Sequence, residues 1–174
     1  MRDLTGPLQA TAIADLLQSI FVAEALYPSD PIWILSGWIS DIPVIENGAR
    51  EFGAIDPDWP TGKVRLSQVL RTMLSKGGRV ALVLRDVEYN KRFLDSLTPL
   101  KREFPEQIWW TLGESEHQKG IVGQDYDLAG SMNFTPSGIG VNGEHLIYRT
   151  APETVASRRL EFMSQWPEAF DNGF

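Results

Sequence analysis

The chain has 174 residues, of which 43% are hydrophobic and 22% charged, with 16 Lys and Arg against 23 Asp and Glu for a net charge of -7. That length and composition suit a single globular domain over residues 1–174 and exclude wholesale disorder, and the lack of any cysteine excludes disulfides, thiolate metal ligands and a cysteine nucleophile. An acidic chain makes a poor nonspecific coat for nucleic acid, although a small cationic site can sit inside an acidic shell.

The opening MRDLTGPLQATAIADLLQS carries Asp3 and Asp15 among its apolar residues. It has no signal-peptide layout, and no apolar run is long enough to span a bilayer, so a cytoplasmic location and no membrane partner are expected. Ile13, Leu16, Leu17, Ile20 and Phe21 recur at helical spacing and predict a first helix, closed by Pro28 and Pro31. PIWILSGWISD reads as a buried strand ended by Asp41 and Pro43. Residues 43–63, with three prolines and three glycines, read as mostly irregular around one short helix.

Leu66, Val69, Leu70, Met73 and Leu74 predict a second helix that Gly77 and Gly78 stop. The unbroken apolar run of RVALVLRD suits a central parallel strand covered on both faces. NKRFLDSLTPLKREFP predicts a third helix, kinked or split at Pro99. QIWWTLGES is a strand, HQKGIVG and YDLAGSMN pair antiparallel around Gln124 and Asp125, EHLIYRT follows the turn-rich PSGIGVNG as another strand, and a last helix puts Val155, Arg159, Phe162 and Trp166 on one side. This order predicts an α/β fold, a mixed sheet sandwiched between helices.

Chemistry concentrates in residues 117–133. On a strand alternate side chains share a face, so His117 pairs with Lys119 and Ser131 pairs with Asn133. An imidazole, an ammonium, a hydroxyl and an amide together can cradle a phosphoryl group: Lys119 supplies charge, Ser131 and Asn133 hydrogen bonds, and His117 a nucleophile or proton carrier. Attack requires a neutral nitrogen, and a carboxylate on the other nitrogen would fix that tautomer. Glu144 is the candidate, and its neighbour His145 is expected on the opposite face, outside the site.

The pattern resembles the phospholipase D superfamily, whose signature is His-x-Lys, a spacer with an Asp, then Gly-Ser-x-Asn. Here it stands as His117-Gln118-Lys119 and Gly130-Ser131-Met132-Asn133, with Glu144 in NGEHLIY matching the family's downstream acidic residue. One departure is that Gln124 occupies the family's Asp position and Asp125 comes one step later, within the turn. The segments WILSGWISD and LVLRDVEYNKRFLDSL are also similar, more loosely, to single-motif phospholipase D-like proteins encoded with bacterial DNA-modification and phage-defence systems, such as the DpdK type.

The resemblance implies a phospholipase D-like domain with one motif per chain and a metal-independent, cofactor-free phosphodiesterase, here a nuclease acting on DNA, with catalytic residues His117, Lys119, Ser131, Asn133 and Glu144. It implies a phosphohistidine intermediate and a second histidine from an identical subunit, hence a homodimer whose site lies on the two-fold axis. Gly130, Ser36 and Trp38 are the candidate substrate-binding residues. The alternatives are a phospholipid or small-molecule phosphodiesterase, or a non-catalytic subunit of a defence or modification complex that holds nucleic acid or a protein partner. For Trp33, Trp109 and Trp110 core packing is the better reading than base stacking, and Trp38 is the exception. Lys63, Arg65, Arg85 and Arg149 read better as scattered surface cations than as a groove.

Overall fold

The computed structural model describes residues 2–4, 9–113, 118–140 and 145–171. In chain order the elements are β1 (Arg2–Leu4), α1 (Gln9–Leu26), β2 (Ile32–Ser36), β3 (Pro43–Asn47), β4 (Gly62–Arg65), α2 (Leu66–Ser75), β5 (Val80–Arg85) and α3 (Glu88–Glu103). They continue as β6 (Ile108–Gly113), β7 (Gly120–Val122), β8 (Asp127–Gly130), α4 (Pro136–Gly140), β9 (Leu146–Arg149), α5 (Pro152–Gln165) and α6 (Glu168–Asp171).

One mixed sheet runs β1-β9-β8-β7-β2-β5-β6. Its parallel half is β2, β5 and β6, with Ile34 opposite Leu82 and Leu82 opposite Trp110. The antiparallel half is the β7–β8 hairpin, β9 and the edge strand β1. Strand parity divides the core. Ile32, Ile34, Val80, Leu82, Leu84, Ile121 and Leu128 pack in one cluster with the apolar stripes of α1, α2 and α3. Trp33, Leu35, Ala81, Val83 and Val122 face the other way, against Phe162, Trp166 and Ala169. There the Trp33 ring lies 5.6 Å from Phe162, 5.9 Å from Trp166 and 6.5 Å from Trp109, centroid to centroid, which makes it core as the sequence implied.

Four local expectations need correction. The strand in PIWILSGWISD stops at Ser36, so Trp38 rides on a turn. Residues 43–65 form no helix: β3 and β4 pair in a separate two-stranded sheet with Ile45 opposite Val64 and packed against α1, where Gln18 Oε1 accepts from Glu46 N at 2.7 Å. The segment PSGIG is a short helix, α4. Finally, α3 runs unbroken through Pro99, because that residue is on the exposed side, where water can take the carbonyl that proline leaves unbonded, while Leu97 and Leu100 beside it are buried.

The far end of the hairpin is tied to α1 through Glu24, which is 3% exposed and accepts from Ser29 N at 2.8 Å, Ser29 Oγ at 2.7 Å and Tyr126 Oη at 2.8 Å. Burial pushes its carboxyl above the ordinary carboxylate range, against the pull of these bonds and of Arg159. A group whose folded pKa is raised stabilises the fold most below its unfolded pKa and loses that contribution as pH rises through the folded one. The stability of the wild type relative to Glu24→Gln is therefore expected to increase as pH falls from about 7 to about 5 in urea denaturation. A difference that stays constant would show a carboxyl titrating alike in folded and unfolded chains.

Candidate active site at the carboxyl edge of the sheet

The three parallel strands all end on one edge, at Ser36, Arg85 and Gly113. β7 runs against β2, so it begins on that edge, with Gly120 opposite Leu35. β8 returns there to end at Gly130, opposite Leu146 at the start of β9. The topology thus gathers Lys119, Gly130, Ser131, Asn133 and His145 where β2 has a parallel neighbour on one side and an antiparallel one on the other. In open α/β sheets ligands bind outside the carboxyl ends of the strands.

Close main-chain approach sets the positions. Gly130 N donates to Lys119 O at 3.2 Å. A Cβ on Gly130 would lie 2.0 Å from His145 O, so glycine is required for β8 and β9 to meet. One residue on, Ser131 N donates to His145 O at 3.0 Å, and His145 N donates to Ser131 Oγ at 3.0 Å. The hydroxyl oxygen takes the acceptor place of a ladder carbonyl.

The chain then leaves the sheet. Asn133 Oδ1 accepts from Trp38 N at 3.1 Å, which orients the amide so that Nδ2 is its donor end. Phe134 bridges to Ile39 and donates its N–H to Ser36 Oγ at 3.2 Å. Behind Asn133, α4 approaches so closely that a Cβ on Gly138 would lie 2.2 Å from Asn133 O.

The candidate residues are distributed as follows. Lys119, Gly130, Ser131, Asn133 and Trp38 share the edge. Lys119 comes just before β7, and Ser131 and Asn133 lie just beyond β8, so the shared-face argument from strand alternation does not apply to them: a turn and hydrogen bonds bring them together instead. Ser36 is fully buried, and its Oγ donates to Trp38 O at 2.6 Å, so it positions the turn and is closed to substrate. The expectation that His145 stays outside the site concerned its ring, which is exposed, but its main chain is part of the edge. His117 and Glu144 lie outside the described residues. Gln118, between His117 and Lys119, receives Arg158 Nη2 at 2.8 Å, and the Arg158 guanidinium sits 4.4 Å from the Phe162 ring centroid. Asp125 is exposed in the β7–β8 turn at the opposite end of the hairpin.

Sequence reasoning missed Asn90. It is fully buried, accepts from Ile39 N at 2.8 Å, and donates to Gly37 O at 2.9 Å and Arg85 O at 2.8 Å. The available signal was a polar residue in register with the apolar stripe of Phe93, Leu94 and Leu97. Replacing it orphans three backbone groups, so Asn90→Ala is expected to cost about 3 kcal/mol of stability in urea denaturation. A loss below about 1 kcal/mol would show that the turn finds other partners.

No protein-family model matches the chain, and no curated protein matches it by sequence. Solved structures do match. NucT from Helicobacter pylori aligns with a TM-score of 0.59 at 16% identity, covering 99% of this chain and 98% of that one. A phospholipase D family member, Nuc from Salmonella typhimurium, aligns with a TM-score of 0.57 at 14% identity over 99% of this chain and 95% of that one. The chain has the phospholipase D fold. TrmBL2, an archaeal chromatin protein whose structure shows a novel mode of DNA binding, aligns over 96% of this chain and 52% of its own, with a TM-score of 0.55 at 11% identity. Among the described residues no helix is long and apolar enough to cross a membrane.

Proposed function

We propose that the chain is a metal-independent phosphodiesterase that cleaves DNA as a homodimer. A nitrogen of His117 attacks phosphorus, the bond to one bridging oxygen breaks, and His117 of the partner subunit protonates the departing alcohol. That second imidazole then takes a proton from water, which attacks the phosphohistidine, releases a phosphate monoester and regenerates the first ring. Glu144 accepts a hydrogen bond from the other nitrogen of His117 and keeps the attacking one neutral. Lys119 from each copy supplies the positive charge that the transition state needs.

The observation that carries this reading is the polarity of the edge. Asn133 Oδ1 accepts from Trp38 N, which leaves Nδ2 as the amide's donor end, on the edge where the hydroxyl of Ser131 and the cationic residue Lys119 also stand. Donors with a cation suit an anionic phosphate and repel a cationic ligand. The fold shared with a phospholipase D family member supports the same reading. The resemblance of WILSGWISD and LVLRDVEYNKRFLDSL to defence-associated proteins supports a place in a bacterial DNA-modification or phage-defence system.

A second reading, a non-catalytic subunit that only holds nucleic acid, is favoured by the fold shared with a DNA-binding chromatin protein. Plasmid DNA incubated in EDTA with the wild type and with His117→Ala separates the two. Cutting that survives EDTA and disappears in the variant supports the phosphodiesterase. Binding without cutting by either protein supports the scaffold, and equal cutting by both removes His117 from the mechanism.

A further inference from the structure

The same edge carries two exposed rings. Trp38 keeps 39% of its surface open and Tyr89 keeps 43%, although burying either would stabilise the fold. Trp38 is nonetheless held firmly. Asn90 grips the carbonyl before it and the N–H after it, Asn133 takes its own N–H, and Ser36 donates to its own carbonyl. Every main-chain polar group from Gly37 O to Ile39 N is thus fixed by a side chain. Tyr89 directly precedes Asn90 in the chain, so both rings are attached to one buried clamp.

A cation completes the arrangement. The Arg85 guanidinium lies 5.2 Å from the centroid of the Trp38 ring. It forms no ion pair among the described residues, while its neighbour Asp86 turns to Lys91 at 3.6 Å. The other cations that the sequence raised as groove candidates are engaged: Lys63 with Glu46 at 3.2 Å, Arg65 with Asp41 O at 2.5 Å and Arg149 with Asp127 at 2.6 Å. An arginine that pairs with no carboxylate among the described residues, lying over an open indole on the edge of the candidate phosphate cradle, offers charge to a backbone and a π-face to a base.

We propose that Trp38, with Arg85 over it, is a stacking platform for an unpaired nucleobase next to the bound phosphate, with Tyr89 a second exposed ring on the same edge, so that the preferred substrate is single-stranded nucleic acid. The proposal rests on the phosphodiesterase reading for what the neighbouring cradle holds. Bases within a duplex already spend both faces on their neighbours, whereas an unpaired base can lie on a protein ring. The fixed main chain favours this use, because a ring that is ordered beforehand loses little freedom on contact.

The test is fluorescence anisotropy in EDTA at fixed salt, on a His117→Ala background that keeps strands intact. The probes are a fluorescein-labelled oligothymidylate, a duplex of the same length, and an abasic oligomer of the same charge. The expected result is tighter binding of oligothymidylate than of duplex, and about a tenfold loss of that affinity in Trp38→Ala with no loss for the abasic oligomer. Trp38→Phe should retain most of the affinity, and Arg85→Ala should weaken both single strands. Equal losses on the base-bearing and abasic oligomers, tighter binding of duplex, or no binding of any probe would each overturn the platform. Binding is read without turnover, so a failed catalytic reading leaves these outcomes unaltered, and a failed platform leaves His117-dependent cutting intact.

Discussion

His117→Ala is expected to lower phosphodiester hydrolysis by about a thousand-fold or more, the scale on which losing a covalent nucleophile is felt. Bis-p-nitrophenyl phosphate or plasmid in EDTA serves as the assay. The same variant reports on the two-fold site. If each site needs a histidine from both copies, only all-wild-type dimers work. Wild-type and variant chains unfolded together in equal amounts and refolded should then retain about a quarter of the activity, the fraction of dimers with two intact copies. Half the activity would mean that each chain works alone. A monomer in solution with full activity would sink the shared site outright.

Gly130→Ala should damage the fold as much as the chemistry. The added methyl carbon would lie 2.0 Å from His145 O and 2.8 Å from Leu146 Cδ2, and neither a carbonyl in a sheet ladder nor a buried leucine can withdraw far. β8 and β9 must separate, and with them the reciprocal contacts between Ser131 and His145. About 3 kcal/mol of destabilisation is expected, read as a fall in melting temperature of roughly 2–4 °C for each kcal/mol. A melting temperature within about a degree of the wild type would show that the strands accommodate the methyl group, and the close-approach argument would fail.

Legibility in the sequence followed the distance over which each feature is decided. RVALVLRD could be read as a doubly covered strand because its burial is written in its own residues, and β5 does lie between two parallel neighbours. The stripes of α1 and α2 were equally local. The β3–β4 sheet was invisible because it exists only when Ile45 meets Val64 across a long connection. Pro99 misled because proline is a rule about hydrogen bonds, and its exposed position removes the penalty on the carbonyl that it leaves.

The site divides in the same way. Lys119, Ser131 and Asn133 were legible as residue types at a spacing, and the sheet brings them to one edge. How they converge was not legible, since β8 ends at Gly130 and a turn places the rest. Asn90 stood out only as a polar residue in an apolar stripe and Arg85 only as one of several cations, because their partners are set by tertiary contact: Ile39 lies 51 residues from Asn90. Ser36 looked available in the sequence and proved to be a clip beneath the turn.

The turn at Gly37–Ile39 has a kinetic corollary. With its amides and carbonyls engaged before any ligand arrives, that side of the edge has no slack to take up and no hinge to swing. Encounter with a short strand should proceed in one phase whose rate rises linearly with strand concentration, and stopped-flow traces that level off at a fixed rate would reveal a gate.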